Sequence, residues 1–228
     1  MRRAEPARPC LYRSLALTTV IGLTGGIASG KSVVRQMLEA RGAHVIDADL
    51  VGHEAYAPGT SCYRAVVSTF GPQIVRHDGQ IDRKALGGKV FGDPAQRRRL
   101  EGIVWPWMRQ TMEHRLAVLR GEGVPVVVLE AAVLIEAEWL PLVDEVWVVT
   151  VPPALARSRI MRRNGLSADQ ADARIAAQLT DGERARHARV IIENGGTLEE
   201  LERRVDAEWR RIAPQQAARP YGPSGRDA

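Results

Sequence analysis

The run Thr19-Val20-Ile21-Gly22-Leu23-Thr24-Gly25-Gly26-Ile27-Ala28-Ser29-Gly30-Lys31-Ser32 decides the fold. Its first six residues are mostly apolar and β-branched and run into glycines, which predicts a buried strand. Gly25-x-x-x-x-Gly30-Lys31-Ser32 then matches the phosphate-binding loop pattern. Glycines let successive backbone N–H groups turn toward phosphate oxygens. A helix beginning at Ser32 adds its positive end and free N–H groups. In such a loop Lys31 contacts the β- and γ-phosphates and Ser32 ligates Mg²⁺. The competing reading is a chance match. The context opposes it, because an amphipathic helix follows, with Val34, Met37, Leu38 and Arg41 on one face and Gly42 closing it. The motif alone does not separate kinases from GTPases or ATPases.

Working outward, Ala43-His44-Val45-Ile46-Asp47 reads as a second strand, so the segment is a βαβ unit and the sheet is parallel. Residues 50–120 read as mostly helical, broken at Pro58-Gly59, Gly71-Pro72 and Asp78-Gly79, with no strong strand. Val124–Glu130, Glu145–Val151 and Val190–Glu193 supply three more strands. Their unbroken apolar runs predict strands covered on both faces. Two helical stretches are expected between the last two strands: one over about Ala154–Arg163, the other opened by the capping box Ser167-x-x-Gln170. Thr197-x-x-Glu200 opens the last helix, whose stripe Leu198, Leu201, Val205, Trp209 and Ile212 reads as core packing.

The chain has 228 residues with ordinary globular composition, enough for one α/β domain carrying a small insertion. No apolar run is long enough to span a membrane. The formal net charge is +5, and the only lysines are Lys31, Lys84 and Lys89. This balance suits polyanionic ligands, although a genomic preference for arginine explains it equally well. The basic residues are scattered, without interleaved aromatics, which argues against nucleic-acid binding. Cys10 and Cys62 give no disulfide framework, and a reducing, cytoplasmic setting is expected. Residues 1–18 read as a disordered leader and 214–228 as a disordered tail.

Two further clusters carry chemistry. Asp47-Ala48-Asp49 stands at the carboxyl end of the second strand, where parallel sheets bind ligands. A carboxylate there can take a proton from a hydroxyl or bind Mg²⁺ through water. Strand alternation gives Asp47 and Asp49 a common orientation. The plainer reading is that one of them caps the following helix, from Leu50 onward. Arg159 and Arg163 share a helix face, as do Arg174 and Gln178. A lid carrying them could close over ATP and exclude water, or the arginines could form a solvated basic face.

Several motifs in order are identified with a family. Ile21–Ser32, Val45–Asp49, Asp78-Gly79-Gln80-Ile81-Asp82-Arg83 with Leu86 and Val90-Phe91, Arg174-Ile175-Ala176-Ala177-Gln178 and Ile191–Gly196 resemble dephospho-CoA kinase over about Val20–Ile212. Leu129–Glu136 is similar to the kinase domain of bifunctional CoA synthases. Trp105, Val33 and Arg189 depart from residues frequent in that family, and the trio Trp105-Pro106-Trp107 is more simply core.

The resemblance implies ATP-dependent phosphorylation of the 3′-hydroxyl of dephospho-CoA. It implies a three-layer P-loop kinase sandwich with a five-stranded parallel sheet, a helical CoA-binding insertion and a helical lid. The core would span 19–50, 121–152 and 188–213, the insertion about 51–120 and the lid about 153–187. It ranks Asp49 as the catalytic aspartate, with Lys31 and Arg159 as further catalytic candidates. Gly26, Ile27, Ala28, Ser29, Gly30, Lys31, Ser32, Val33, Arg163 and Asn194 become candidates for ATP, and Asp49, Arg83 and Arg174 for the acceptor. Ser32 would hold Mg²⁺, ATP and dephospho-CoA would be the partners, and a monomer is expected. Rival readings are a nucleoside or nucleoside monophosphate kinase and a nucleotide-binding regulator without turnover. The absence of an Asn-Lys-x-Asp motif counts against a GTPase.

Overall fold

The computed structural model describes residues 18–212. The expected tail, Cys10 and all of the expected leader except Thr18 lie outside the described residues. Strand β1 (Thr19–Gly25) is the centre of the sheet. Helix α1 (Lys31–Ala40) leads to β2 (His44–Asp47), as the βαβ reading expects. Strands β3 (Val126–Glu130), β4 (Glu145–Thr150) and β5 (Val190–Glu193) complete an all-parallel sheet in the order β2-β3-β1-β4-β5. β3 thus inserts between the two strands that are neighbours in sequence. This register sets Asp47 opposite Glu130, and Glu130 opposite Leu23.

Alternation along the strands builds a core on each face. Val20, Val127, Leu129, Val146 and Val148 pack on one side, beneath the helices that follow β2. Ile21, Leu23, Val126, Val128, Trp147 and Val149 pack on the other, beneath α1 and α9 (Leu198–Ile212). Burial on both faces explains why the strands read as continuous apolar runs. The result is a three-layer α/β sandwich.

Between β2 and β3 stand α2 (Ala48–Ala55), α3 (Ser61–Phe70), α4 (Arg83–Val90) and α5 (Pro94–Glu122). The breaks fall where Pro58-Gly59, Gly71-Pro72 and Asp78-Gly79 predict them. A single antiparallel bridge, Val75 to Ile81, closes the Asp78-Gly79 turn. Trp105 packs edge-on against Trp139 with centroids 6.5 Å apart, so this departure is a core residue. Cys62 is buried and free. Among the described residues no helix is long and apolar enough to cross a membrane.

Three expectations change. The segment between β4 and β5 holds three helices: α6 (Pro153–Asn164), α7 (Ala168–Ala176) and the short α8 (Asp181–Ala185), which a second capping box, Thr180 with Glu183, starts. One turn is too short for a periodicity to reveal. The stripe of α9 is not all core. Leu201 and Val205 are buried, but Leu198 is 60% exposed. Finally, the chain is helical from Ala48, so strand alternation does not relate Asp47 to Asp49.

Candidate active site

The phosphate loop takes its shape from backbone that only some residues adopt. Gly30 has φ +96°, and a β-carbon there would lie 2.1 Å from Asn194 Nδ2. Asn194, just past β5, donates through Nδ2 to the Ser29 carbonyl at 2.7 Å, tying the far strand to the loop. Arg159, on α6, donates to the carbonyls of Ala28 (3.1 Å) and Asn194 (3.2 Å). The Lys31 ammonium donates to the Gly25 carbonyl at 2.8 Å and the Gly26 carbonyl at 3.3 Å. Burial, more than any other influence, pushes Lys31 below the ordinary lysine range, and the cations of Arg184 and Arg163 add to this. Glu130 and Asp49 pull it back up.

A cavity of about 850 Å³ opens over this loop. Gly30, Lys31, Ser32 and Val33 of the loop and α1 line it, as do Asp49 from α2 and Glu130 from β3, and Arg159, Arg162, Arg163 and Asn194 from α6 and the end of β5. Leu198 and Leu201 line it as well. The exposed leucine of α9 therefore faces a site, which corrects the reading of the whole stripe as core.

The two aspartates have separate fates. Asp47 is the N-cap of α2: its carboxylate accepts from Asp49 N–H at 2.9 Å and Leu50 N–H at 3.3 Å. Its other oxygen accepts from Arg35 at 3.1 Å. An acid with both oxygens engaged is a poor proton acceptor for a ligand. Asp49 is exposed in the first turn of α2 and faces the cavity. Arg35 also makes an ion pair with Glu130 at 3.1 Å. Burial raises the Glu130 carboxyl above the usual carboxylate range, the Arg35 cation works against this, and Asp47 adds to it.

Glu130 is a lining residue that the sequence reading left unassigned. Its signal was its position as the last residue of a buried strand, but only the strand order shows that this strand lies beside the loop. Gln178, read from the sequence only as a lid residue beside Arg174, lines the cavity. The Ile27 N–H donates to Gln178 Oε1 at 2.8 Å, so this amide of the loop already has a partner.

The remaining candidates scatter. Arg174 is exposed on α7 and does not line the cavity, and α7 ends at Ala176, so the expected shared helix face of Arg174 and Gln178 does not form. Arg83 lines a second cavity of about 590 Å³ with His53, Tyr56, Arg76 and Lys84. Its guanidinium stands 5.4 Å from the Tyr56 ring centroid, a cation–π distance. Asp49 and His53 of α2 and its C-cap Tyr56 recur at i, i+4 and i+7 and so follow one face, which runs about 10 Å from the first cavity to the second.

Oxygen donors suit a hard divalent cation, and Ser32, Asp49 and Glu130 present them in one cavity. Among the described residues no group of three or more His, Cys, Asp or Glu side chains could hold a metal by itself. The residues therefore fit an ion carried with a polyphosphate, which brings most of its own ligands.

A family model described as dephospho-CoA kinase matches residues 19–200. The dephospho-CoA kinase of Geobacter sulfurreducens is 52% identical over 195 residues, covering 86% of this chain and 99% of that protein. A solved structure from Thermus thermophilus superposes with TM-score 0.72 at 32% identity, over 86% of this chain and 99% of that one. The dephospho-CoA kinase of Campylobacter jejuni superposes with TM-score 0.68 at 26% identity, over 87% and 98% of the two chains.

Proposed function

The chain belongs to the dephospho-CoA kinase family, and we propose that its ATP-dependent phosphorylation of the 3′-hydroxyl of dephospho-CoA runs between Lys31 and Asp49 in the 850 Å³ cavity. The observation that carries this assignment is one space with two sides. The loop and the start of α1 offer amides and a half-buried ammonium to a triphosphate, and Asp49 faces them from α2.

Phosphoryl transfer is mostly positioning and charge stabilisation. Amides of Ala28, Gly30, Lys31 and Ser32 and the Lys31 ammonium hold the phosphates, and nucleotide binding draws that ammonium off the Gly25 and Gly26 carbonyls. Arg159 and Arg163 line the same cavity, where they offset the negative charge that spreads over the transferring group. Asp49 accepts the proton of the 3′-hydroxyl as that oxygen attacks phosphorus. Asp47 cannot compete, because Arg35 and the α2 amides occupy it. Mg²⁺ bound with ATP would be held by Ser32 and would neutralise charge on the phosphates.

We place the outer part of the acceptor along the α2 face that leads to Arg83. The basic lining of the second cavity suits the acceptor's diphosphate. Residues 51–120 then serve as the acceptor-binding insertion and 153–187 as a lid, with Arg174 available only if the lid moves.

A coupled assay offering dephospho-CoA, AMP and nucleosides side by side tests the assignment. Turnover confined to dephospho-CoA is expected. Preferential turnover of AMP or a nucleoside would overturn it.

A further inference from the structure

The phosphate loop is strapped on its Gly25–Ile27 side by the chain that follows α7. Gln178 Oε1 accepts the Ile27 N–H at 2.8 Å. The next residue is held too, because Arg184 donates through Nη1 to the Leu179 carbonyl. The Arg184 side chain is only 2% exposed and stands 3.8 Å from Glu136 and 3.7 Å from Asp181. Thr180 and Glu183 lock the start of α8 between Gln178 and this arginine. Gln178 therefore meets the loop from a fixed position.

A carboxamide carries one acceptor oxygen and two N–H donors. The loop amide takes the oxygen. The donors are left for the cavity, which Gln178 lines together with Lys31 and Asp49. The Lys31 ammonium reaches the same stretch of backbone, at the carbonyls of Gly25 and Gly26. The lysine that meets the β- and γ-phosphates in such loops thus converges with Gln178 on three consecutive residues. The purine end of a nucleotide would lie away from them, toward Val33, Leu198 and Leu201.

We propose that Gln178 is a ligand of the γ-phosphate, its Oε1 fixed by the Ile27 amide and its Nε2 donating to a terminal phosphoryl oxygen. The proposal rests on the reading above that ATP occupies this cavity. It makes the arm Ala168–Ala185 sensitive to the terminal phosphate, since the residue that would touch that phosphate is the one that ties the arm to the loop. A residue that only glued the arm down would not distinguish ATP from ADP.

Gln178→Glu tests this. The carboxylate can still accept from Ile27, so the strap is kept, but both donors become negative charge facing the γ-phosphate. Calorimetry with Mg²⁺ and either a non-hydrolysable ATP analogue or ADP gives the contrast. The analogue should bind at least about tenfold more weakly than to wild type, and ADP should change by less than about threefold. Gln178→Met removes donors and acceptor without adding charge, and should weaken the analogue selectively but less. It serves as the test if the glutamate variant melts early. Equal losses for ADP and the analogue in both variants, or no loss in either, would overturn the assignment and leave the reading of the site standing. A wild-type protein that binds neither nucleotide would overturn both.

Discussion

Asp49→Asn and Asp47→Ala, made separately, should fail in different ways. Asp49 is exposed at the cavity, and among the described residues nothing donates a hydrogen bond to its carboxylate. Removing its basicity removes general-base catalysis, worth about 10² to 10⁴ in turnover, which is roughly 3 to 5 kcal/mol of barrier. Its cost to the fold is small. A first-turn acid gains about 0.3 to 1 kcal/mol from the helix dipole, or at most roughly 4 °C in melting temperature for a domain of this size. Asp47 has the opposite profile. The alanine variant loses two capping bonds, at 2.9 and 3.3 Å, and the Arg35 ion pair at 3.1 Å. A lost cap costs about 1 to 2 kcal/mol, and the melting temperature should fall by roughly 3 to 8 °C. Arg35 keeps Glu130 as a partner, so turnover should fall by no more than about tenfold, far short of the loss of a base. The assay couples ADP release from dephospho-CoA turnover to NADH oxidation, with ATP affinity measured by calorimetry and melting by circular dichroism. Near-normal turnover by Asp49→Asn, or abolished turnover in a folded Asp47→Ala, would refute the division of labour between the two acids.

Two other perturbations follow from the geometry. Gly30→Ala forces a side chain onto φ +96° and into Asn194 Nδ2, so ATP affinity should drop by at least about tenfold while far-ultraviolet circular dichroism stays native. Arg41, the C-cap of α1, donates to Asp206 on α9 at 2.7 Å, and this hydrogen bond holds the Asp206 carboxyl below the usual carboxylate range. A lowered folded-state pKa contributes stability above the unfolded value and loses it as pH falls through the folded one. Because Asp206 is 36% exposed, screening limits the contribution to about 1 kcal/mol or less. Urea melts of Arg41→Met should therefore show a deficit of that size at neutral pH, shrinking below the ordinary carboxylate range. A deficit independent of pH would count against the ion pair.

Much of the fold was legible because its determinants are local. The strand before the loop, the glycines within it, the helix after it and the capping boxes at Ser167 and Thr197 each involve residues within a few positions of one another. Pattern and propensity act over that range. The proposed nucleotide half of the site could be read for the same reason: Gly25–Ser32 is one continuous stretch that matches the phosphate-loop pattern. The ordered motifs added the acceptor and ranked Asp49 above Asp47.

Tertiary structure decided what stands around that stretch. The insertion of β3 between β1 and β2 puts Glu130 beside Lys31 and Arg35, a pairing across about a hundred residues that no periodicity encodes. The early start of α2 turned Asp47 into a cap and left Asp49 free, a distinction smaller than the error with which a strand end can be read. Packing also chose Gln178 for the loop and left Arg174 in solvent, although both lie on one stretch of chain. The sequence alone determined that a phosphate-loop pattern sits at the end of a buried strand, because one short segment supplies all its parts. Only the folded chain determined which distant carboxylate, amide and guanidinium stand around that stretch, because strand order and helix burial bring them together.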